Sequence, residues 1–243
     1  MAAKFATTSW SQVLTARDAS GTEARQAMEA LCNTYWSPLY AFVRHDGYTA
    51  DEAGDLTQAY FAHLLGSDTL QGVDPESGRF RSYLLSSLKH FLSHEREKTR
   101  ALKRGGATRT ISLDTGAAES QYGHEPAGEL TPEEIFERRW AITVVERAMV
   151  LLSEESAEAG GRDHFERLKT YLTGEEPHIP YREMAPKLQM TEGAVKTAVR
   201  RMRQRFGHLL RHVIAETVAD PDEIDEEVRY LLTVIAPWEP RQA

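Results

Sequence analysis

The segment 181–206, YREMAPKLQMTEGAVKTAVRRMRQRF, leaves little freedom in how it can fold. Tyr181, Met184, Ala185 and Leu188 stand at i, i+3, i+4 and i+7, one face of a short helix. The connection LQMT is short, and Thr191 at its end is placed to cap a second helix. Val195, Val199, Met202 and Phe206 then recur at i, i+4, i+7 and i+11, the buried stripe of that second helix. Its other side carries Lys196, Thr197, Arg200, Arg201, Arg203 and Arg205. An apolar face to dock on a first helix, opposite a basic face with short polar residues near its start, predicts a helix-turn-helix whose second helix enters a DNA major groove. There an arginine can read guanine through two parallel hydrogen bonds. The competing reading is a basic helix that is merely solvated.

Elsewhere strand-like alternation is scarce and helical spacing recurs, so the chain is expected to be all-α. Residues 22–46 hold one or two helices, with Trp36, Leu39, Tyr40 and Val43 on one face and Pro38 near a helix start. The stretch 49–65, TADEAGDLTQAYFAHLL, sets Asp51, Asp55 and Gln58 on one face against Ala53, Leu56, Tyr60 and Leu64. GSDTLQGVDPESGRF, 66–80, is a loop by its Gly, Pro, Ser and Asp content. A basic helix runs from about Phe80 to Lys103 and stops at Gly105 and Gly106. Residues 105–130 lack an apolar period and are expected to be a flexible linker. TPEE at 131–134 is a helix start, with Thr as cap and Pro first, and the helix should run to about Leu152 before the loop SEESAEAGGRD. The expected organisation is an N-terminal extension (1–21), a helical domain (22–104), the linker, a helix-turn-helix domain (131–214) and an acidic extension (215–243). No internal repeat is visible.

Charge is unevenly spread along the chain. The net charge is −8, yet residues 79–109 carry nine Lys or Arg against two Glu, and residues 180–212 carry eight against two. Two basic islands in an acidic chain suggest binding to a polyanion at defined places. The longest apolar run is far shorter than the roughly 20 residues of a membrane span, and MAAKFATTSW lacks the apolar core of a signal peptide. Cys32 is the only cysteine. It can form no internal disulfide and is read as a small buried hydrophobe, which points to the cytoplasm.

The first basic island differs in character from the second. In RFRSYLLSSLKHFLSHEREKTRALKRGG, 79–106, Leu84, Leu85, Leu88, Phe91 and Leu92 make the apolar stripe. Arg79, Arg81, Tyr83, Lys89, His90, Arg96, Lys98, Arg100, Lys103 and Arg104 fall to other faces. Basic residues mixed with aromatic ones suit a strand whose bases can stack. Equally, Phe80 and Tyr83 can be core and the cations simple solvation. Catalytic signals are thin. His45–Asp46 lacks the further His and Asp of a metal phosphohydrolase, and Asp51, Glu52, Asp55 and His63 read better as a solvated acidic face than as metal ligands. There is no phosphate loop or nucleophile motif. No enzyme activity, metal or cofactor is expected.

An acidic helix, a basic aromatic helix, a linker and a helix-turn-helix, in that order, resemble a bacterial RNA polymerase sigma factor of the extracytoplasmic-function group. The resemblance covers about residues 20–212. It rests on YWSPLYAFVRHDGYTADEAGDLTQAYFAHLL, GRFRSYLLSSLKHFL and the segment 181–206, with DLTQ followed by an aromatic as a hallmark; FATTSWSQVLTARD near the N-terminus is similar to a subgroup. The resemblance implies a transcription initiation factor that binds core polymerase, at the β′ clamp and β flap, and directs it to −35 and −10 promoter elements as duplex and as locally melted DNA. It implies clamp binding by Asp51, Glu52, Asp55 and Gln58. It implies −10 contacts from Asp74, Arg79, Arg81, Tyr83, Lys89, His90, Arg96, Lys98 and Arg100. It implies −35 contacts from Thr191, Glu192, Gly193, Lys196, Thr197, Arg200, Arg201 and Arg203. Regulation by an anti-sigma factor or a kinase is known among such proteins. Gly54 and Ala59 stand where the family usually carries acids, and Ala198 stands where many members carry Arg. The thinned charge makes Thr57 a candidate phosphosite, since a phosphate adds about −1.5 to −2 charge. The tail's apolar face, Ile224, Val228, Leu231, Leu232 and Ile235, can pack on either domain and tune activity, or simply complete the core. The alternatives are a non-sigma helix-turn-helix regulator whose N-terminal helices oligomerise or sense a signal, and a helical protein that sequesters a partner.

Overall fold

The computed structural model describes residues 22–66, 79–102, 130–173, 179–218 and 220–235. All regular structure among them is helical. In chain order the helices are α1 (Thr22–His45), α2 (Ala50–Gly66), α3 (Phe80–Leu102), α4 (Pro132–Glu158), α5 (Arg162–Leu168), α6 (Thr170–Thr173), α7 (Tyr181–Lys187), α8 (Glu192–Ala215) and α9 (Ile224–Ile235), the last preceded by a 3₁₀ turn, Pro221–Glu223. The N-terminal extension, the loop holding Asp74 and most of the expected linker lie outside the described residues.

The described residues fall into two compact units. One comprises those up to Thr143 together with those from Ile214 onward, and the other is Val144–Val213. This division differs from the one read off the sequence. It falls within α4 and within α8, not at residue 131, and the acidic tail is part of the first unit. Packing explains the difference. Ile135, Phe136, Trp140 and Ala141 at the start of α4 are buried, and so are Val218 and Leu231 of the tail. At the scale of about 25 cal/mol per Å² of apolar surface removed from water, such side chains override a boundary suggested by composition.

In the first unit, Tyr35, Leu39 and Val43 of α1, Tyr60 and Leu64 of α2, and Phe80, Leu84, Leu88 and Leu92 of α3 are buried. Tyr35 meets Phe80 edge-on at 5.6 Å, and Trp36 stacks on Phe61 at 5.8 Å. The Tyr60 hydroxyl donates to the Leu84 carbonyl at 3.0 Å, which satisfies a buried polar tip. Residues 22–45 form one helix with Pro38 inside it, not two helices with Pro38 at a start. Proline removes one intrahelical donor, and the buried flanking residues Tyr35, Leu39 and Tyr40 offset that loss. The helix ends at Gly47, at φ +99, with Gly47 N–H to Arg44 O at 3.2 Å and Tyr48 N–H to Val43 O at 3.5 Å.

α4 continues through SEESAE to Glu158, beyond the expected end at Leu152. Ala and Glu favour helix over loop, and the Ser156 hydroxyl donates back to Leu152 O at 2.7 Å. Gly160, at φ +72, then ends it: Gly160 N–H meets Ala157 O at 3.0 Å and Gly161 N–H meets Ser156 O at 2.7 Å. In the second unit, Leu168, Tyr171, Met184, Ala185, Leu188, Val195 and Val199 form a core, with Tyr181, Met190, Ala198 and Met202 packed against it. No helix among the described residues is long and apolar enough to cross a membrane.

Candidate nucleic-acid interface

In the second unit, α7 and α8 are joined by residues 188–191, with Gln189 at φ +54. The Thr191 hydroxyl accepts the Ala194 N–H at 3.2 Å, a side-chain cap on α8. Val195 and Val199 point into the core, which turns the opposite face outward. Thr191, Glu192, Gly193, Lys196, Thr197, Arg200, Arg201 and Arg203 are all exposed. Within this set Lys196 pairs with Glu192 at 2.7 Å, and the Thr197 hydroxyl donates to Gly193 O at 2.9 Å. Arg203 turns back, donating from Nη2 to the Tyr171 carbonyl at 2.9 Å. Arg200 and Arg201 have no hydrogen-bond or ion-pair partner among the described residues. Arg205, one turn further, pairs with Glu155, and that pairing holds the Glu155 carboxyl below its usual range.

In the first unit, α3 carries a second candidate surface. A cavity of about 630 Å³ is lined by His63 of α2 and by Tyr83, Ser87, His90, Phe91, His94 and Lys98 of α3, among others. Tyr83, Ser87, His90, His94 and Lys98 recur at helical spacing, so one helix presents stackable rings, a hydroxyl and a cation in a row. Tyr83 lies 6.1 Å from Phe80, nearly parallel to it. His90 and His94 meet edge-on at 4.6 Å, with their Nε2 atoms 3.2 Å apart. Burial pushes the Tyr83 hydroxyl above its ordinary pKa.

Arg79, Arg81, Lys89 and Arg96 are not among the residues that line that cavity. Arg81 is buried and is corrected from a DNA contact to a core residue. Its Nε meets Glu137 at 2.8 Å, its Nη1 meets Glu227 at 2.5 Å, and its guanidinium lies over the Trp140 ring at 4.3 Å and the Tyr230 ring at 4.8 Å. Burial alone would depress this guanidinium; the two carboxylates reverse that and hold it above its ordinary value. Arg79 pairs with Glu226 at 3.1 Å and with Glu227. Lys89 pairs with Glu133 at 2.6 Å, and Arg96 pairs with Asp46 while also donating to the Tyr48 hydroxyl at 2.9 Å. Asp74 and the Arg100 side chain lie outside the described residues.

The acidic helix α2 is only partly an open acidic face. Asp51 and Gln58 are exposed and Asp55 is half-buried. Glu52 instead closes a capping box: its carboxylate accepts the Thr49 N–H at 2.9 Å, and the Thr49 hydroxyl accepts the Glu52 N–H at 3.3 Å. Thr57, the candidate phosphosite, is fully buried, its hydroxyl donating to Ala53 O at 2.7 Å, so modification there requires α2 to open. A doubly charged group is costly at a buried position unless it is paired. Gly54 is buried too. Cys32 is half-buried and free, and burial, with Glu29 nearby, pushes its thiol up. His45 meets the Leu130 carbonyl at 2.6 Å and Asp46 pairs with Arg96, so the His45–Asp46 pair is engaged structurally.

Sequence reasoning missed Glu227, Glu137, Trp140 and Tyr230. A signal for Glu227 was present: it lies four residues before Leu231 and three after Ile224, on the apolar stripe of α9. Arg81 lies three residues before Leu84 and seven before Leu88, on the stripe of α3. A charge at a stripe position implies a buried partner of opposite sign. No family model, curated protein or solved structure matches the chain.

Proposed function

We propose that this chain is a transcription initiation factor of the sigma type, which binds core RNA polymerase and directs it to promoter DNA. The observation that carries the reading is the outward face of α8, where Arg200 and Arg201 are exposed and unpaired among the described residues, on a capped helix anchored by Val195 and Val199. That face supplies the helix-turn-helix contact to duplex DNA at a −35 element. The cavity along α3 supports the second half of the reading, because aromatic rings and Lys98 at its wall suit unstacked bases and their phosphates. Exposed Asp51 and Gln58 with Asp55 support docking of α2 on a basic polymerase surface. The chain would act without catalysis, metal or cofactor, in the cytoplasm where the polymerase works.

The test is in-vitro transcription with purified core polymerase. The chain is expected to co-purify with core and to start transcripts from at least one promoter of its own genome. Failure on both counts overturns the reading. One observation favours a second reading, a duplex-binding regulator that needs no polymerase. Arg79, Arg81, Lys89 and Arg96 are held by carboxylates, which leaves fewer cations for a melted strand. Tight, sequence-selective duplex binding without core, and no initiation with it, would select that alternative.

A further inference from the structure

The ionic node at the start of α3 has an inside and an outside. Glu227 is 0% exposed and Arg81 4%, whereas Arg79 is 28% and Glu226 64% exposed. The inner pair is fixed, since separating buried charges leaves each unsolvated. The outer pair is exchangeable, because an exposed ion pair is weak and screened by salt. A guanidinium binds carboxylate and phosphate through the same two-pronged geometry. Arg79 does not line the cavity but stands just beyond its Tyr83 end. It precedes Tyr83 by four residues, roughly 6 Å along a helix axis, and Tyr83 begins the row of side chains along the cavity.

The element that covers Arg79 has the charge of a nucleic-acid backbone. Residues 220–227, DPDEIDEE, carry six carboxylates and no cation. They are held in place by the Asp220 side chain capping the 3₁₀ turn at 2.9 Å, by buried Leu231, and by Tyr230, whose ring lies under both arginines at 5.9 Å and 4.8 Å.

We propose that α9 is an acidic latch: Glu226 and Glu227 stand in for nucleic-acid phosphate on Arg79, and a phosphodiester displaces Glu226 when a single strand enters the α3 cavity. Arg81 and Glu227 are the hinge that stays closed, and Arg79 and Glu226 are the part that opens. This rests on the nucleic-acid reading of the first unit. It assigns the C-terminal helix a role that a purely structural helix would not have, since removing one exposed carboxylate should then strengthen binding elsewhere.

The experiment uses the full chain and a fluorescently labelled single-stranded deoxyoligonucleotide, titrated at low and at moderate salt. Glu226→Gln is expected to bind about threefold to tenfold more tightly than the parent at low salt. Arg79→Ala is expected to weaken binding, and the double variant to match Arg79→Ala alone, so the gain depends on Arg79. If Glu226→Gln equals the parent while Arg79→Ala weakens binding, the latch is overturned and the nucleic-acid reading stands. If Glu226→Gln gains equally with and without Arg79, general charge is the cause and the latch is again overturned. If neither the parent nor Glu226→Gln binds the oligonucleotide, the reading of the α3 cavity fails and takes the latch with it.

Discussion

Helices α3 and α8 have similar compositions and opposite fates. Both belong to strongly basic islands, and both carry an apolar stripe along one side. In α3 the Lys89 and Arg96 charges, with Arg79 just before the helix and Arg81 inside it, are met by carboxylates from other elements, 146 residues along the chain for Arg81 and Glu227 and 147 for Arg79 and Glu226. In α8 the Lys196 pair is local and Arg205 pairs with Glu155, while Arg200 and Arg201 stay unpaired among the described residues. Basic content therefore does not measure available charge. Folding can turn a cation into a core residue, and the surface left for a polyanion is what the remaining acids have not reached.

The largest test of this contrast is Arg81→Ala. It takes from buried Glu227 one of its two arginines and from Glu137 its partner, and a loss of about 3 kcal/mol in folding stability is expected; chemical denaturation of the full chain reads it. Replacing both, Arg81→Met with Glu227→Leu, should recover most of that loss, because the desolvation term goes with the charges. A stable Arg81→Ala would show that the arginine is not integral to the first unit. Of similar size, Thr57→Glu should destabilise by about 3 kcal/mol by burying an unpaired carboxyl. Thr57→Val should stay within about 1 kcal/mol of the parent, and equal stability of the two variants would show an accessible Thr57.

Arg200→Ala probes the other side of the comparison. Its stability should stay within about 0.5 kcal/mol of the parent. Duplex affinity should fall by about 1–3 kcal/mol if it reads a base, or the salt slope by about 1 if it touches a phosphate. An unchanged affinity and salt slope would remove α8 as the reading element.

The smallest effect concerns Glu155, whose pKa Arg205 lowers in the folded chain. A carboxyl depressed on folding adds stability that is present above its unfolded value and fades as pH falls through its folded one. Arg205→Ala should therefore raise the Glu155 midpoint in an NMR titration and flatten the acid limb of stability by less than about 1 kcal/mol, since the pair is exposed.

Much of the second unit is legible in spacing alone. Of the expected stripe, Val195 and Val199 are buried, Met202 packs against them partly buried, and Phe206 is half-buried; the cap at Thr191 is found as expected. The leucine stripe of α3 is equally plain at Leu84, Leu88 and Leu92. The errors cluster where chemistry and periodicity disagree. Arg81 and Glu227 sit on apolar stripes but invite a reading by their charge, and Thr57 invites one by its hydroxyl though it shares the face of Ala53, Tyr60 and Leu64. Leu232 goes the other way, counted as apolar face yet 59% exposed.

Sequence alone determined what one helix can decide within itself: periodicity, caps and the two islands of charge. These depend on residues within a few positions of each other, so spacing suffices. Tertiary structure decided which charges are spent on the protein itself. The start of α4 and the distant helix α9 bring Glu137, Trp140, Glu227 and Tyr230 onto one guanidinium. No local pattern encodes that meeting, because the energy of a buried charge is set by its neighbours in space.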